Sequence, residues 1–125
     1  MYRIAMDGIG LLHPGDLGAP LNADQLEALG EVDIALVPVG GYYTIDATQA
    51  VQLAQAVKAR VVVPMHYRTE PSAKRLGVLA PVDDFLKAVP RDWPVTRSET
   101  NRVTIAKTEL EEQAAATRVV VLNWQ

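Results

Sequence analysis

The sequence predicts an α/β fold built on a parallel sheet, and the prediction rests on three observations between Asp33 and Thr69. The run Ile34 to Val39, interrupted only by Pro38, and the run Val61-Val62-Val63 are too short for helices. They are also too uniformly apolar for half-exposed strands, the signature of strands buried on both faces. Between them, Asp46 with Gln49 three positions on forms a capping box. Ala47, Ala50, Val51, Ala54 and Val57 then recur at helical spacing. Strand, helix and strand make one βαβ unit. Each strand is expected to stop at its Val-Pro step (Val37-Pro38, Val63-Pro64), where proline removes a ladder donor. The residues just beyond, Gly40-Gly41 and His66, then lie at the carboxyl ends of parallel strands, the edge where open α/β sheets hold their chemistry.

The flanking elements follow from local signals. Tyr2, Ile4 and Met6 alternate with Arg3 and Ala5, Asp7-Gly8 supplies a tight turn, and Ile9 to Leu12 returns as a second strand. His13-Pro14-Gly15-Asp16-Leu17-Gly18 excludes regular structure and bends the backbone sharply. Asn22 with Gln25, the Leu21/Leu26 pair and Gly30 predict a helix of about two turns. Arg68 to Ala80 has no period and reads as a loop over the strand ends. Val82, Phe85, Leu86 and Val89 mark one face of a helix that Pro90 ends. The segments Trp93 to Arg97 and Arg102 to Ala106 flank Ser98 to Asn101 and predict a hairpin. Thr108 with Glu111 suggests a helical turn running into the alanines, with a surface loop as the alternative. Arg118 to Leu122 is a last strand.

Composition narrows the function. At 125 residues the chain is expected to form a single domain, 1–125, with a real core, and 49% hydrophobic against 22% charged residues is ordinary for a globular protein. No apolar run reaches the roughly 20 residues of a membrane span. The balance of 12 basic and 15 acidic residues, scattered, lacks the footprint of a nucleic-acid binder. The N-terminus lacks the pattern of a secretory signal, so a cytoplasmic location is expected. Without cysteine, histidines and carboxylates are the only plausible metal ligands.

Two histidines, His13 and His66, each follow an apolar strand. Either could be an ordinary packed or solvated residue; His66, directly after Val-Pro-Met at a buried strand's exit, needs a partner, and a metal or an acid is the usual one. Asp16 projects from a bent loop, where it either caps its own turn or serves as a ligand. These are too few for a complete metal site, and no H-x-H or H-E-x-x-H cluster is present. Ser72 and Ser98 lie outside any G-x-S-x-G motif, and Gly40-Gly41 has neither G-x-G-x-x-G nor a Walker lysine.

In this order and spacing, HPGDLG, DIALVPVGGYYTIDATQA and VVVPMHYRT resemble the C-terminal half of a metallo-β-lactamase-fold metal-dependent hydrolase. The likeness is to small bacterial hydrolases that include relatives of ascorbate-phosphate lactonases. It runs from the opening hairpin to about Leu86, and more loosely to the last valine strand. It implies half of an αββα sandwich, a mixed sheet with helices on one face, forming the C-terminal portion of the family's domain. The resemblance makes Asp16 the carboxylate that bridges two metals, zinc or manganese, and His66 a ligand of the second, so that both are metal ligands and catalytic. His13 stands where relatives have a histidine that does not ligate, facing substrate or supporting the site. Pro14 replaces the family's usual Leu. The family's H-x-H-x-D-H ligands lie upstream of the opening hairpin, and no residues of this sequence occupy that region.

The enzymatic reading is therefore the C-terminal part of a dinuclear hydrolase whose metal-bound hydroxide attacks a small-molecule ester, lactone or phosphoester. His13, Tyr42, Tyr43, Tyr67 and Arg68 would meet the substrate, with Thr44 either beside them or capping the helix. The chain would be incomplete alone, its partner a missing N-terminal half or a second copy. The alternative is a non-catalytic half-domain that oligomerises through an uncovered sheet face. A phosphate or nucleotide binder at Gly40-Gly41 is a third reading.

Overall fold

The computed structural model describes residues 1–112 and 116–125. Strands β1 (Tyr2–Met6) and β2 (Ile9–His13) form the antiparallel hairpin, with Asp7 and Gly8 at φ 53° and 75°, the left-handed pair such a turn needs. Helix α1 (Ala23–Leu29) starts at Asn22 with both capping-box hydrogen bonds formed and ends at Gly30, φ 62°. Strand β3 (Ile34–Pro38), helix α2 (Ala47–Ala56) and strand β4 (Val61–Met65) are the predicted βαβ unit, and Asp46 and Gln49 close its capping box. Within the expected loop, Ala73–Leu76 forms one helical turn, α3. Helix α4 (Val82–Ala88) buries Val82 and Phe85, as the spacing predicts.

The predicted hairpin between Trp93 and Ile105 is corrected. Strand β5 (Val95–Arg97) pairs in parallel with β6 (Arg118–Val121), and the Ser98 amide continues that ladder to the Val121 carbonyl at 2.8 Å. Residues 102–106 form no strand; they lead into α5 (Lys107–Glu112), whose Leu110 is 1% exposed against Ile34, Val61, Val63 and Val120. Burial of Ile105 and Leu110 outweighs a local β preference, which fits any pleated, half-buried surface. Ala114 and Ala115, into which the Thr108 signal extends that turn, lie outside the described residues.

The sheet order is β1-β2-β3-β4-β6-β5, parallel except at the hairpin. Alternation divides the buried strands cleanly. Leu12, Ala35, Val37, Val62, Val119 and Val121 face the helices α1, α2 and α4, and Ile34, Leu36, Val61, Val63 and Val120 face the other way. Right-handed crossovers explain the position of α5: the connection from β5 back to β6 reverses direction along the sheet, so its helix must lie on the opposite face. That face is covered beneath Leu110 but open toward the hairpin, where Tyr2, Ile4 and Met6 are exposed. No helix among the described residues is long and apolar enough to cross a membrane.

The strand β4 does not stop at Val63-Pro64, as the sequence suggests; Pro64 stands in register with Val37, and Met65 with Pro38. The Val39 amide donates to the Met65 carbonyl at 3.0 Å. By alternation the missing donor of Pro64 then faces β6, whose pairing with β4 has already ended at Val62 and Val119. Pro38 likewise faces β2, whose pairing ended at Leu12 and Ala35. Neither proline removes a ladder bond, and the neighbouring strands part at the rim where the candidate residues lie.

Candidate metal centre

Asp16 and His66, 50 positions apart, meet at this rim. Asp16 rides on the loop after β2. Buried Pro14 leads into Gly15 at φ 63°, and the Gly15 amide donates to His13 Nδ1 at 3.2 Å. The loop is tied across the end of β3 by the Ile45 amide, which donates to the Leu17 carbonyl at 2.8 Å. His66 follows β4 directly with φ 53°, a left-handed conformation unusual for a side chain of its size. Gly40 makes that conformation possible, since a Cβ there would stand 2.2 Å from the His66 carbonyl oxygen. The Ala80 amide donates to the Gly40 carbonyl at 2.8 Å, and the Arg68 amide to the Ala80 carbonyl at 3.0 Å. Three loops are thus joined by backbone alone.

His66 Nε2 lies 3.8 Å from Asp16 Oδ1, with side-chain exposures of 27% and 78%. That separation is too long for a hydrogen bond. It is close to the spacing of two donors that share one ion at roughly 2.0–2.2 Å each. Among the described residues no donor hydrogen-bonds the Asp16 carboxylate, so the self-capping turn is not formed. His66 Nδ1 is buried and without a hydrogen-bond partner among the described residues. An orphaned buried nitrogen costs roughly 1–3 kcal/mol. A carboxylate and an imidazole, with no thiolate, suit a divalent metal ion. They are only part of a site: among the described residues no group of three or more metal-capable side chains occurs.

The remaining candidates divide. Tyr42 and Tyr43 project from the loop after Gly41, 73% and 57% exposed, their rings edge to face with centroids 4.6 Å apart. Thr44 is buried, its hydroxyl donating to the Ile45 carbonyl, and leaves the cap to Asp46. Tyr67 packs against the helix-side core; burial raises its phenol above the ordinary value, and Arg97 opposes the shift. The Arg68 guanidinium donates to the Gly77 carbonyl. Tyr67 and Arg68 line a cleft of about 330 Å³ with Pro81, Arg97 and Trp124, at the carboxyl ends of β4, β5 and β6. The sequence did not reveal the role of Gly40 against His66; its one signal was a Gly-Gly pair after a buried strand.

Comparison with known proteins defines the class of this chain. The family model of the beta-lactamase superfamily domain matches residues 1–66, and the chain belongs to that superfamily, with the metallo-β-lactamase fold. Its relatives are more particular. A UPF0173 metal-dependent hydrolase of Archaeoglobus fulgidus is 36% identical over 88 residues, 70% of this chain and 36% of that protein. One from Thermococcus onnurineus is 36% identical over 89 residues, covering 38% of its length. A Thermotoga maritima protein of known structure, of the metallo-β-lactamase superfamily, superposes with a TM-score of 0.73 at 36% identity, covering 96% of this chain and 56% of that one. Igni18, a metallo hydrolase from Ignicoccus hospitalis, gives 0.53 at 30%, covering 94% and 39%. The chain thus spans little more than a third of the Archaeoglobus and Thermococcus relatives.

Proposed function

We propose that this chain forms the C-terminal part of a metal-dependent hydrolase acting on a small-molecule ester, lactone or phosphoester, with Asp16 and His66 as metal ligands. The approach of Asp16 Oδ1 to His66 Nε2 within 3.8 Å carries the reading. Asp16 and His66 would hold zinc or manganese, two ions in the complete site, and the metal would supply Lewis acidity. Asp16 would contribute an exposed carboxylate to the metal. His66 contributes an imidazole nitrogen from the end of β4. Tyr42 and Tyr43 offer apolar contact and hydroxyls to a substrate above the rim. Tyr67, whose phenol burial pushes above its ordinary value, and Arg68 serve as hydrogen-bond donors at its flank. The remaining ligands come from outside the described residues.

Zinc titration of the purified chain, read by calorimetry and by the ring resonances of His66, tests this. Weak uptake is expected, reduced at least tenfold in Asp16→Asn and in His66→Ala. Equal uptake by the parent and both variants would sink it. The second reading, a half-domain that associates through its sheet, is favoured by one observation: Tyr2, Ile4 and Met6 are exposed opposite His13, Leu11 and Ile9 on the strand face that α5 leaves open. A concentration-dependent dimer mass, lost in Ile4→Ser, together with absent zinc uptake, would support that alternative.

A further inference from the structure

We propose that His13 is a positioning residue for Asp16, acting through the Gly15 amide with its ring proton on Nε2. The proposal rests on the reading of Asp16 as a metal ligand. His13 ends β2 and stands in register with Tyr2 across the hairpin, so its backbone belongs to the sheet and not to the loop. Pro14 has no N–H, which makes Gly15 the first residue after the strand that can donate. That amide bonds His13 Nδ1 at 3.2 Å, and Gly15 turns at φ 63° directly before Asp16. A half-buried ring anchored on a strand therefore fixes the bend from which the carboxylate is presented to His66.

An accepting Nδ1 requires a lone pair there, so the neutral ring carries its proton on Nε2. His13 cannot offer Nε2 to a metal while it keeps this bond. The two histidines of the chain are thus differentiated by backbone chemistry: one presents Nε2 toward the carboxylate, and the other uses Nδ1 to aim that carboxylate. Outer partners of this kind typically govern metal affinity by 10–100-fold, a scale (about 1.4 kcal/mol per tenfold) within reach of a single hydrogen bond.

Ring-nitrogen NMR of the labelled chain and three variants test the proposal. The parent is expected to show the Nε2–H tautomer at His13 and slow exchange of the Gly15 amide. In His13→Asn the amide oxygen can replace Nδ1, so Gly15 protection and the zinc concentration that shifts His66 stay within about twofold of the parent. In His13→Gln, which reaches instead to the Nε2 position, and in His13→Ala, Gly15 exchanges faster and His66 needs at least tenfold more zinc. Urea midpoints of the three variants separate this pattern from a general loss of stability. Rescue by Gln and not Asn, an Nδ1–H tautomer, or an unchanged Gly15 amide in His13→Ala would overturn the proposal. If His66 fails to respond to zinc in the parent, the metal reading falls, while the tautomer and Gly15 exchange still decide whether His13 holds the turn.

Discussion

Gly40→Ala puts the organisation of the rim to the sharpest test. The new Cβ would lie 2.2 Å from the His66 carbonyl oxygen, 3.2 Å from its carbonyl carbon and 3.2 Å from the Tyr67 Cα. All three are backbone atoms, so no side chain can swing away. Gly40 is held by the Ala80 amide, and Met65, the residue before His66, by the Val39 amide. Overpacking against unyielding neighbours costs roughly 1–3 kcal/mol. At a urea m-value of about 2 kcal/mol/M, the midpoint should fall by about 0.5–1.5 M with little change in slope. Two controls separate the clash from other glycine effects. Gly18 has no atom within 4 Å of a built Cβ, and Gly18→Ala should be neutral or stabilise by up to about 1 kcal/mol. Gly41 has φ 64° but no contact nearer than 3.8 Å, so Gly41→Ala should cost about 1–2 kcal/mol through strain, recovered in part by Asn. Gly40→Asn should recover nothing. A Gly40→Ala chain that unfolds with Gly18→Ala and leaves the His66 resonances in place would refute the clash.

Other consequences can be checked on the same folded chain. Leu110→Ala should cost roughly 2–5 kcal/mol in urea, because its side chain is core, whereas Ile4→Ala on the open part of the same face, 48% exposed, should cost about 1 kcal/mol or less. Asp46→Ala removes the cap of α2 and should lower stability by roughly 0.5–2 kcal/mol, with Asp46→Asn retaining most of it. Tyr67 has a phenol pKa raised by burial, so the folded state holds its proton more tightly than the unfolded one. Stability should therefore fall as pH rises above about 10, through the folded-state value, and Tyr67→Phe should flatten that part of the profile.

The elements legible in the sequence are those whose determining contacts are local. Asn22 with Gln25, Asp46 with Gln49, and Asp7-Gly8 each specify their structure within four residues, and each is formed. Buried strands were equally plain, since uniform apolar runs have few other uses. The hairpin expected at 93–105 failed because the true partner of β5 is β6, 24 positions further on, a choice set by burial and not by propensity. Pro64 misled for a related reason: whether a proline breaks a ladder depends on which neighbour its nitrogen faces. The union of Asp16 with His66 was not readable from spacing at all and came from the resemblance; what spacing offered was one conspicuous residue at each of two strand exits.

That convergence follows from the topology. Strands β2 and β4 are separated by β3, roughly 10 Å at about 4.8 Å per strand. A side chain on either strand could not span that gap. The loop after β2 closes it by crossing the end of β3, where the bond between Leu17 and Ile45 holds it, while His66 turns back through its left-handed φ over Gly40. The pair is thus assembled from loop backbone above the sheet, and its carboxylate remains largely exposed. Removing that carboxylate should change stability by no more than about 0.5 kcal/mol, since it buries little and caps nothing. Such a site can lose its chemistry without loss of the fold beneath it, which is why folding and metal uptake must be measured separately in every variant of this chain.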